Sequence, residues 1–304
     1  MLNSAPSQPS AAPDAPRSAW RLVGALAVVA LVGSACTSST YHYDWTIFSN
    51  SLFAPNGQIV QGLSLTVSIS IISQIVGLIL GVFAAIGKLS RFLPFRLVAN
   101  FYIWVFRGTP LLVQLMLIFF GMSSTGIYKW PPIVIGGFAI SGAVQAGIFV
   151  LGVNEGAYMA EIVRAGIISI DTGQMEAAKS LGMTYSKAMR RIVLPQAARV
   201  IVPPLGNEFN NMLKTTSLLV ILAVPELFVT FENLNGSGDT SFHPFELFLA
   251  AAVWYLLLTT IWGIIQARIE TRLARGTPGS QASANGPSMR TRMFGMRSPT
   301  ATGH

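Results

Sequence analysis

Residues 176–195 have the sequence EAAKSLGMTYSKAMRRIVLP. They lie within a polar stretch of about 30 residues, 169–199, between two long apolar segments. The triplet Glu176-Ala177-Ala178 favours a helix, and Gly182 is free to take the positive φ that ends one. We therefore predict a loop built from two short amphipathic helices broken at Gly182.

The residues around this loop predict where its helices begin and end. Asp171-Thr172-Gly173 can initiate the first helix, and Thr184 can cap a second over Ser186–Val193 that Pro195 stops. The alternative is an ordinary amphipathic loop that lies on the bilayer, with its cations facing anionic lipid. Such a loop would not need the observed spacing.

The composition predicts an all-α polytopic membrane protein. Of the 304 residues 11% are charged, against roughly 25% in a soluble domain, and 52% are hydrophobic. These figures exclude a soluble enzyme and a disordered chain, and the single cysteine, Cys36, excludes an internal disulfide. The net charge of +8 does not indicate nucleic acid, because Lys and Arg collect on the cytoplasmic side of membrane proteins.

The two ends of the chain are predicted to lie outside the folded core. Residues 1–19 and 276–304 are rich in Ser, Ala, Pro and Gly, which is typical of disordered tails. Residues 20–40 contain the apolar run Leu22–Cys36. This run is a membrane anchor or a signal peptide, because it is short for a span and ends in small residues.

Five further apolar segments predict the membrane core. They are Val60–Ile86, Leu97–Met122, a stretch within Ile133–Ile168, Val200–Phe228 and Leu247–Ile265. The second contains Thr109-Pro110, so Leu97–Phe106 is either an interfacial piece or the lower part of one kinked helix.

The distribution of cations predicts the orientation. With a cytoplasmic N-terminus, the outside segments are about 37–58, 123–132 and 229–245, and Lys129 is their only Lys or Arg. The protein is therefore expected in the inner (cytoplasmic) membrane, in contact with lipid. Both termini are cytoplasmic if the first segment is not cleaved.

The segment Val200–Phe228 carries a polar stripe that predicts a solute pathway. At 100° per residue its polar residues share one side of a helix, and polar stripes in membranes usually face a cavity or another subunit. The alternative is hydrogen bonding between helices at a subunit interface. The pathway candidates in this segment are Asn207, Glu208, Asn211, Lys214 and Thr215. We also expect Pro203-Pro204 to break the helix locally.

The preceding segment adds two polar pairs. Asn154 and Glu155 are further pathway candidates. Glu161 and Arg164 are three residues apart and can form an ion pair, which we interpret as structural. An amino acid carries both charges, and Lys214 with Glu208 would complement such a zwitterion.

The loop pattern resembles that of permease subunits of ATP-binding-cassette importers. The residues that carry it are Glu176, Ala177, Ala178, Gly182, Ile192, Leu194 and Pro195. Arg107-Gly108-Thr109-Pro110, the run Gly156–Ile167 and Lys214–Leu218 resemble the polar amino-acid branch, the histidine, glutamine and glutamate type. Many relatives have Asp or Asn in place of Thr215.

This resemblance implies a type I importer transmembrane fold with five core helices over residues 59–268, and the N-terminal segment Leu22–Cys36 is additional to that core. It implies a second permease subunit, identical or different, a cytoplasmic ATPase dimer that engages the loop at 171–195, and an extracytoplasmic amino-acid-binding protein. ATP and Mg would bind to the ATPase, and this chain would bind no cofactor and be no enzyme.

Two other functions compete with this interpretation. An ion-coupled secondary transporter would use Glu155, Glu161 or Glu208 for protons, but it often shows internal repeats, which the sequence lacks. A membrane-embedded enzyme would need a catalytic cluster, and neither such a cluster nor metal-ligand spacing is apparent.

Overall fold

The computed structural model describes residues 42–236, 240 and 242–274. The chain divides into two units, Met1–Asp44 and Trp45–His304. In the first unit the described residues, 42–44, are neither helix nor strand. The predicted segment Leu22–Cys36 and both predicted tails lie outside the described residues.

The second unit is predominantly helical. Its α-helices are α1 Trp45–Phe53, α2 Gly57–Leu89, α3 Leu93–Gly108, α4 Leu111–Met116, α5 Met122–Ser124, α6 Gly142–Ile168, α7 Thr172–Ser180, α8 Tyr185–Ala188, α9 Leu194–Thr215, α10 Leu227–Gly236 and α11 Pro244–Ala274. Leu117–Gly121 and Met189–Val193 are π-helical, and Thr216–Leu222 is a 3₁₀ helix.

Up to five membrane spans are present among the described residues. Helices α2, α6 and α11 are each long and apolar enough to cross a bilayer. The other two candidates are bent pairs: α3 meets Leu111–Ser124 at 105°, and Tyr185–Leu222 meets α10 at 46°. The five core segments correspond to those the sequence predicts, and the 105° bend falls at Thr109-Pro110.

A β-hairpin that the sequence analysis missed precedes α6. Strands β1, Ile133–Ile135, and β2, Phe138–Ile140, pair antiparallel. Gly136 and Gly137 form the turn between them, with φ of 57° and 85°. A Gly-Gly pair between two short apolar runs is a hairpin signal that could have revealed it. The long helix therefore begins only at Gly142, where Ser141 caps it.

Helices α2 and α6 form the centre of the unit through glycines on both sides of their crossing. A Cβ at Gly77 would lie 3.2 Å from the carbonyl oxygen of Gly152, and one at Gly156 would lie 3.2 Å from that of Gly77. The two backbones are thus in direct contact. Apolar side chains from α4, α6 and the 3₁₀ helix pack beside this crossing, including Leu115, Val150 and Leu219.

Candidate functional site

The predicted loop contains the first short helix that its sequence indicates, whereas the predicted second helix is the start of a much longer helical stretch. Asp171 caps α7 by accepting a hydrogen bond from the Gly173 N–H at 2.8 Å. Gly182 follows α7 with φ of +75°. Its N–H donates to the Lys179 carbonyl at 2.9 Å, and the Met183 N–H donates to the Ala178 carbonyl at 3.0 Å. This is a Schellman end, which requires the left-handed conformation that glycine adopts readily.

The loop presents a mixed surface to solvent. Glu176, Ala177, Gly182, Leu194 and Pro195 are exposed, Ala178 is buried, and Ile192 is half-buried. Two large apolar side chains that the sequence analysis did not select are also exposed there. Leu181 is 83% exposed and Tyr185 is 60% exposed. Their position on the solvent side of an amphipathic helix pair was the available signal.

The predicted stop at Pro195 is wrong. The chain is helical without interruption from Tyr185 to Leu222, and we call this stretch the rod. Pro195 lies in the first turn of α9, directly after the π-helical stretch, where the Leu194 N–H donates to the Met189 carbonyl. Proline is tolerated in a first turn, and the wider π-helical turn before it changes the hydrogen-bond pattern that its ring would disturb.

The predicted break at Pro203-Pro204 is also wrong, since both prolines lie inside α9. Helix α11 packs against this part of the rod and donates two side-chain hydrogen bonds to its main chain. Trp262 Nε1 donates to the Gly206 carbonyl at 2.7 Å, and Gln266 Nε2 donates to the Pro203 carbonyl at 3.2 Å. These bonds hold the proline-containing part of the rod against α11.

A cavity of about 290 Å³ lies between α4, α6 and the rod. It brings five of the predicted pathway residues together from two separate segments. Its lining consists of Asn154, Glu155, Glu208, Asn211 and Thr215 with Leu111, Leu151, Tyr158, Met212 and Leu218.

Asn207 and Lys214 are not part of this lining. Both are exposed on the rod, and Asn207 Oδ1 accepts from Gln266 Nε2 at 3.0 Å. The helical wheel places these residues on one side with Asn211, but it contains no information on which neighbouring helices close the cavity. The structure therefore does not support Lys214 and Glu208 as a pair for a zwitterion in this cavity.

Glu155 is the most enclosed charged residue of the cavity lining. It is 7% exposed, and the side-chain amide of Gln74 lies within hydrogen-bonding reach of its carboxylate. A buried carboxylate that meets only a neutral amide is costly, so this group is poised to accept a hydrogen bond or a cation from a bound molecule.

Asn154 has a different environment from Glu155. Its Nδ2 donates to the Phe106 carbonyl at 2.9 Å and to Gln114 Oε1 at 3.0 Å. Gln114 Nε2 in turn donates to Thr109 Oγ1 at 2.7 Å. This network holds the 105° bend between α3 and α4 beside the cavity. The sequence analysis did not identify Gln114, although it is a buried amide in an apolar run.

A cation lies at the edge of the cavity. Arg107 Cζ is 5.1 Å from the ring centre of Tyr158, which is a cation–π distance.

Glu161 lies away from the cavity. It pairs with Arg164, at 2.9 Å, and with Lys88. The ion pair thus joins the C-terminal end of α2 to α6, which fits a structural role. No cluster of three or more His, Cys, Asp or Glu that could hold a metal occurs in the described part of the chain.

Comparison with known proteins places these features in a family. Residues 77–275 match the model described as binding-protein-dependent transport system inner membrane component. An arginine transport system permease protein of Corynebacterium glutamicum is 38% identical over a stretch that covers 84% of this chain and 81% of the length of that permease. An arginine transport system permease protein of Bacillus subtilis is 36% identical over 71% and 92%. The chain is also similar to a chain in the crystal structure of an amino acid ABC transporter with histidines. The two are 35% identical with a TM-score of 0.66, and the match covers 76% of the present chain and 100% of the transporter chain.

Proposed function

The chain belongs to the binding-protein-dependent transport system inner membrane components, and from this membership we propose how its loop and cavity serve import. The family consists of membrane permeases of ATP-binding-cassette importers, in which a separate subunit hydrolyses ATP. Membership decides against the ion-coupled secondary transporter. An ATPase and a solute-binding protein are general partners of such permeases.

We propose that the loop at 171–195 contacts a cytoplasmic ATPase dimer, which binds the ATP and Mg. Exposure of Glu176, Leu181 and Tyr185 supports this, because aromatic and aliphatic side chains in a polar rim anchor protein interfaces. A second permease copy would cover the exposed polar side of the rod, which carries Asn207 and Lys214. Both termini and the loop then lie in the cytoplasm, and an external binding protein delivers an amino acid.

The cavity favours an amino acid with a cationic side chain. Its lining includes two carboxylates, Glu155 and Glu208, and no Lys or Arg. In a low-dielectric site two carboxylates need compensating positive charge, of which Arg107 at the cavity edge supplies one unit and a cationic substrate would supply another. The burial of the Glu155 carboxylate in a lining without Lys or Arg is the observation that carries this proposal. Two of the relatives named above are arginine permeases, which agrees with it.

The substrate is tested by binding of arginine to the reconstituted permease–ATPase complex without the binding protein. We expect Glu155→Gln and Glu208→Gln each to weaken binding at least about tenfold, since each removes one member of a buried charge pair. Glu232→Gln changes an exposed carboxylate away from the cavity and is the matched control. If both cavity variants bind arginine as wild type does, the cavity does not select a cation.

The loop is tested by ATP-driven uptake in proteoliposomes with Gly182→Asp. Asp tolerates positive φ better than most residues, so the loop keeps its fold while a charge enters the ATPase interface. We expect both ATPase association and uptake to fall. Gly126→Asp is the control, because Gly126 has φ of +73°, open space around it and a position in the segment predicted outside. Uptake that proceeds without any ATPase would overturn the proposed function.

A further inference from the structure

The rod ends at a short joint, Ala223–Glu226, where the fourth of the five core spans bends by 46° into α10. Ala223 has φ of +52°, a left-handed conformation that costs energy for a residue with a Cβ. The Glu226 N–H donates back to the Val224 carbonyl at 2.7 Å. The joint is thus a tight, defined turn.

The Glu226 side chain is fully buried in this joint, with 0% exposure. Its Oε1 accepts from the main-chain N–H groups of Phe228, at 2.8 Å, and Val229, at 3.1 Å. It therefore caps the first turn of α10, where a carboxylate also meets the positive end of the helix dipole.

The other oxygen of Glu226 connects the joint to two further spans. Its Oε2 accepts from Thr66 Oγ1 of α2 at 3.1 Å and from the Tyr255 hydroxyl of α11 at 2.7 Å. Thr66 Oγ1 also accepts from the Leu227 N–H at 3.0 Å. A single buried carboxylate thus fixes the joint, α2 and α11 to one another.

The rod connects this fixed point to the loop. It has 38 residues, from Tyr185 to Leu222, and at 1.5 Å per residue it is about 57 Å long, against a bilayer core of about 30 Å. The end of the rod at Tyr185 therefore projects beyond the membrane together with the second half of the loop. The cavity residues Glu208, Asn211 and Thr215 lie between this end and the joint. Movement of the loop and movement of the cavity wall are mechanically connected.

We propose that Glu226 is a positioning residue that makes the joint the fixed pivot of the rod. Because the end of the rod next to the joint is held at α2 and α11, displacement of the loop rotates the cavity-lining face of the rod about the joint. Without this anchor, the same displacement is partly lost as movement of the joint itself. This inference rests on the proposed function, because it needs a loop that the ATPase displaces.

The experiment measures solute imported per ATP hydrolysed by the complete complex in proteoliposomes, normalised to folded complex. Tyr255→Phe removes the α11 hydroxyl that donates to Glu226 and leaves both bonds by which Glu226 caps α10. Glu226→Met removes all four bonds at similar size. Both variants are expected to lower the ratio at least about threefold while arginine affinity stays within about twofold. Glu226→Gln retains an oxygen for the two N–H groups and an amide that can donate to Tyr255. This variant should therefore import nearly as much solute per ATP hydrolysed as wild type does.

The matched control is Ser73→Ala. The Ser73 hydroxyl donates to the Ile148 carbonyl at 3.4 Å, so this variant also loses one hydroxyl hydrogen bond between two membrane helices, but Ser73 is neither a partner of Glu226 nor part of the cavity lining. Its uptake per ATP should equal that of wild type. If Tyr255→Phe and Glu226→Met lower only thermal stability and leave the ratio unchanged, Glu226 is a packing feature and the proposal fails. Absence of ATP-driven uptake in wild type would instead refute the proposed function.

Discussion

Gly81→Ala tests the close crossing of α2 and α6. A Cβ at Gly81 would overlap Met159 Cβ and lie 3.0 Å from both the Ala160 nitrogen and the Gly156 oxygen. These are backbone and Cβ atoms that cannot rotate away, so the helices must separate. Overpacking of this kind costs about 1–3 kcal/mol.

Alanine also raises helix propensity, by up to about 1 kcal/mol over glycine, and this gain partly hides the clash. Gly263→Ala is the control that gains helix propensity without a clash, since Gly263 lies inside α11 with nothing within 4 Å of its added Cβ. The difference between the two variants should therefore be about 1–3 kcal/mol, in favour of Gly263→Ala.

The assay is thermal unfolding of the purified complex in detergent. At roughly 2–4 °C per kcal/mol for a chain of this size, Gly81→Ala should melt roughly 2–12 °C below Gly263→Ala. If the two variants melt at the same temperature, the helices do not approach as closely as the glycine contacts indicate.

Three further substitutions test other contacts. Asp171→Ala removes the cap of α7 and should destabilise the loop by about 1 kcal/mol, seen as faster amide hydrogen exchange over α7 only. Glu161→Gln should lower thermal stability more than Lys88→Met, because it leaves Lys88 and Arg164 facing each other without their anion; equal effects would contradict the three-membered ion pair. Trp262→Phe should destabilise the complex by about 1 kcal/mol through loss of its bond to α9, and unchanged melting would show that the brace contributes nothing.

Features set by a few neighbouring residues could be predicted from the sequence. The end of α7 at Gly182 follows from one residue free to take positive φ, and the five core segments follow from runs of apolar side chains. The polar stripe also follows from helical periodicity, and the structure brings Glu208 and Asn211 of this stripe to the cavity.

Features set by contacts distant in sequence could not be predicted. The sequence contains Glu226 in an apolar segment, but its four donors come from three different helices. Pro195 and Pro203 read as helix breakers because the π-helical turn and the bracing by α11 that accommodate them are not visible in local sequence.

The continuity of the rod sets a rule for insertions and deletions. Each residue added between Tyr185 and Glu208 would turn the loop relative to the cavity by about 100°. A single insertion would therefore direct the carboxylate of Glu208 away from the cavity lining. Four inserted residues would nearly restore the original orientation of Glu208. Insertions at the Schellman end near Gly182 carry no such rotation. A π-helical turn is the geometry by which a helix absorbs one extra residue, and Met189–Val193 forms one at the point where the rod leaves the loop. Length variation among permeases of this architecture should therefore concentrate before the loop pattern that begins at Glu176, and the spacing from Tyr185 to the cavity should be kept in whole turns.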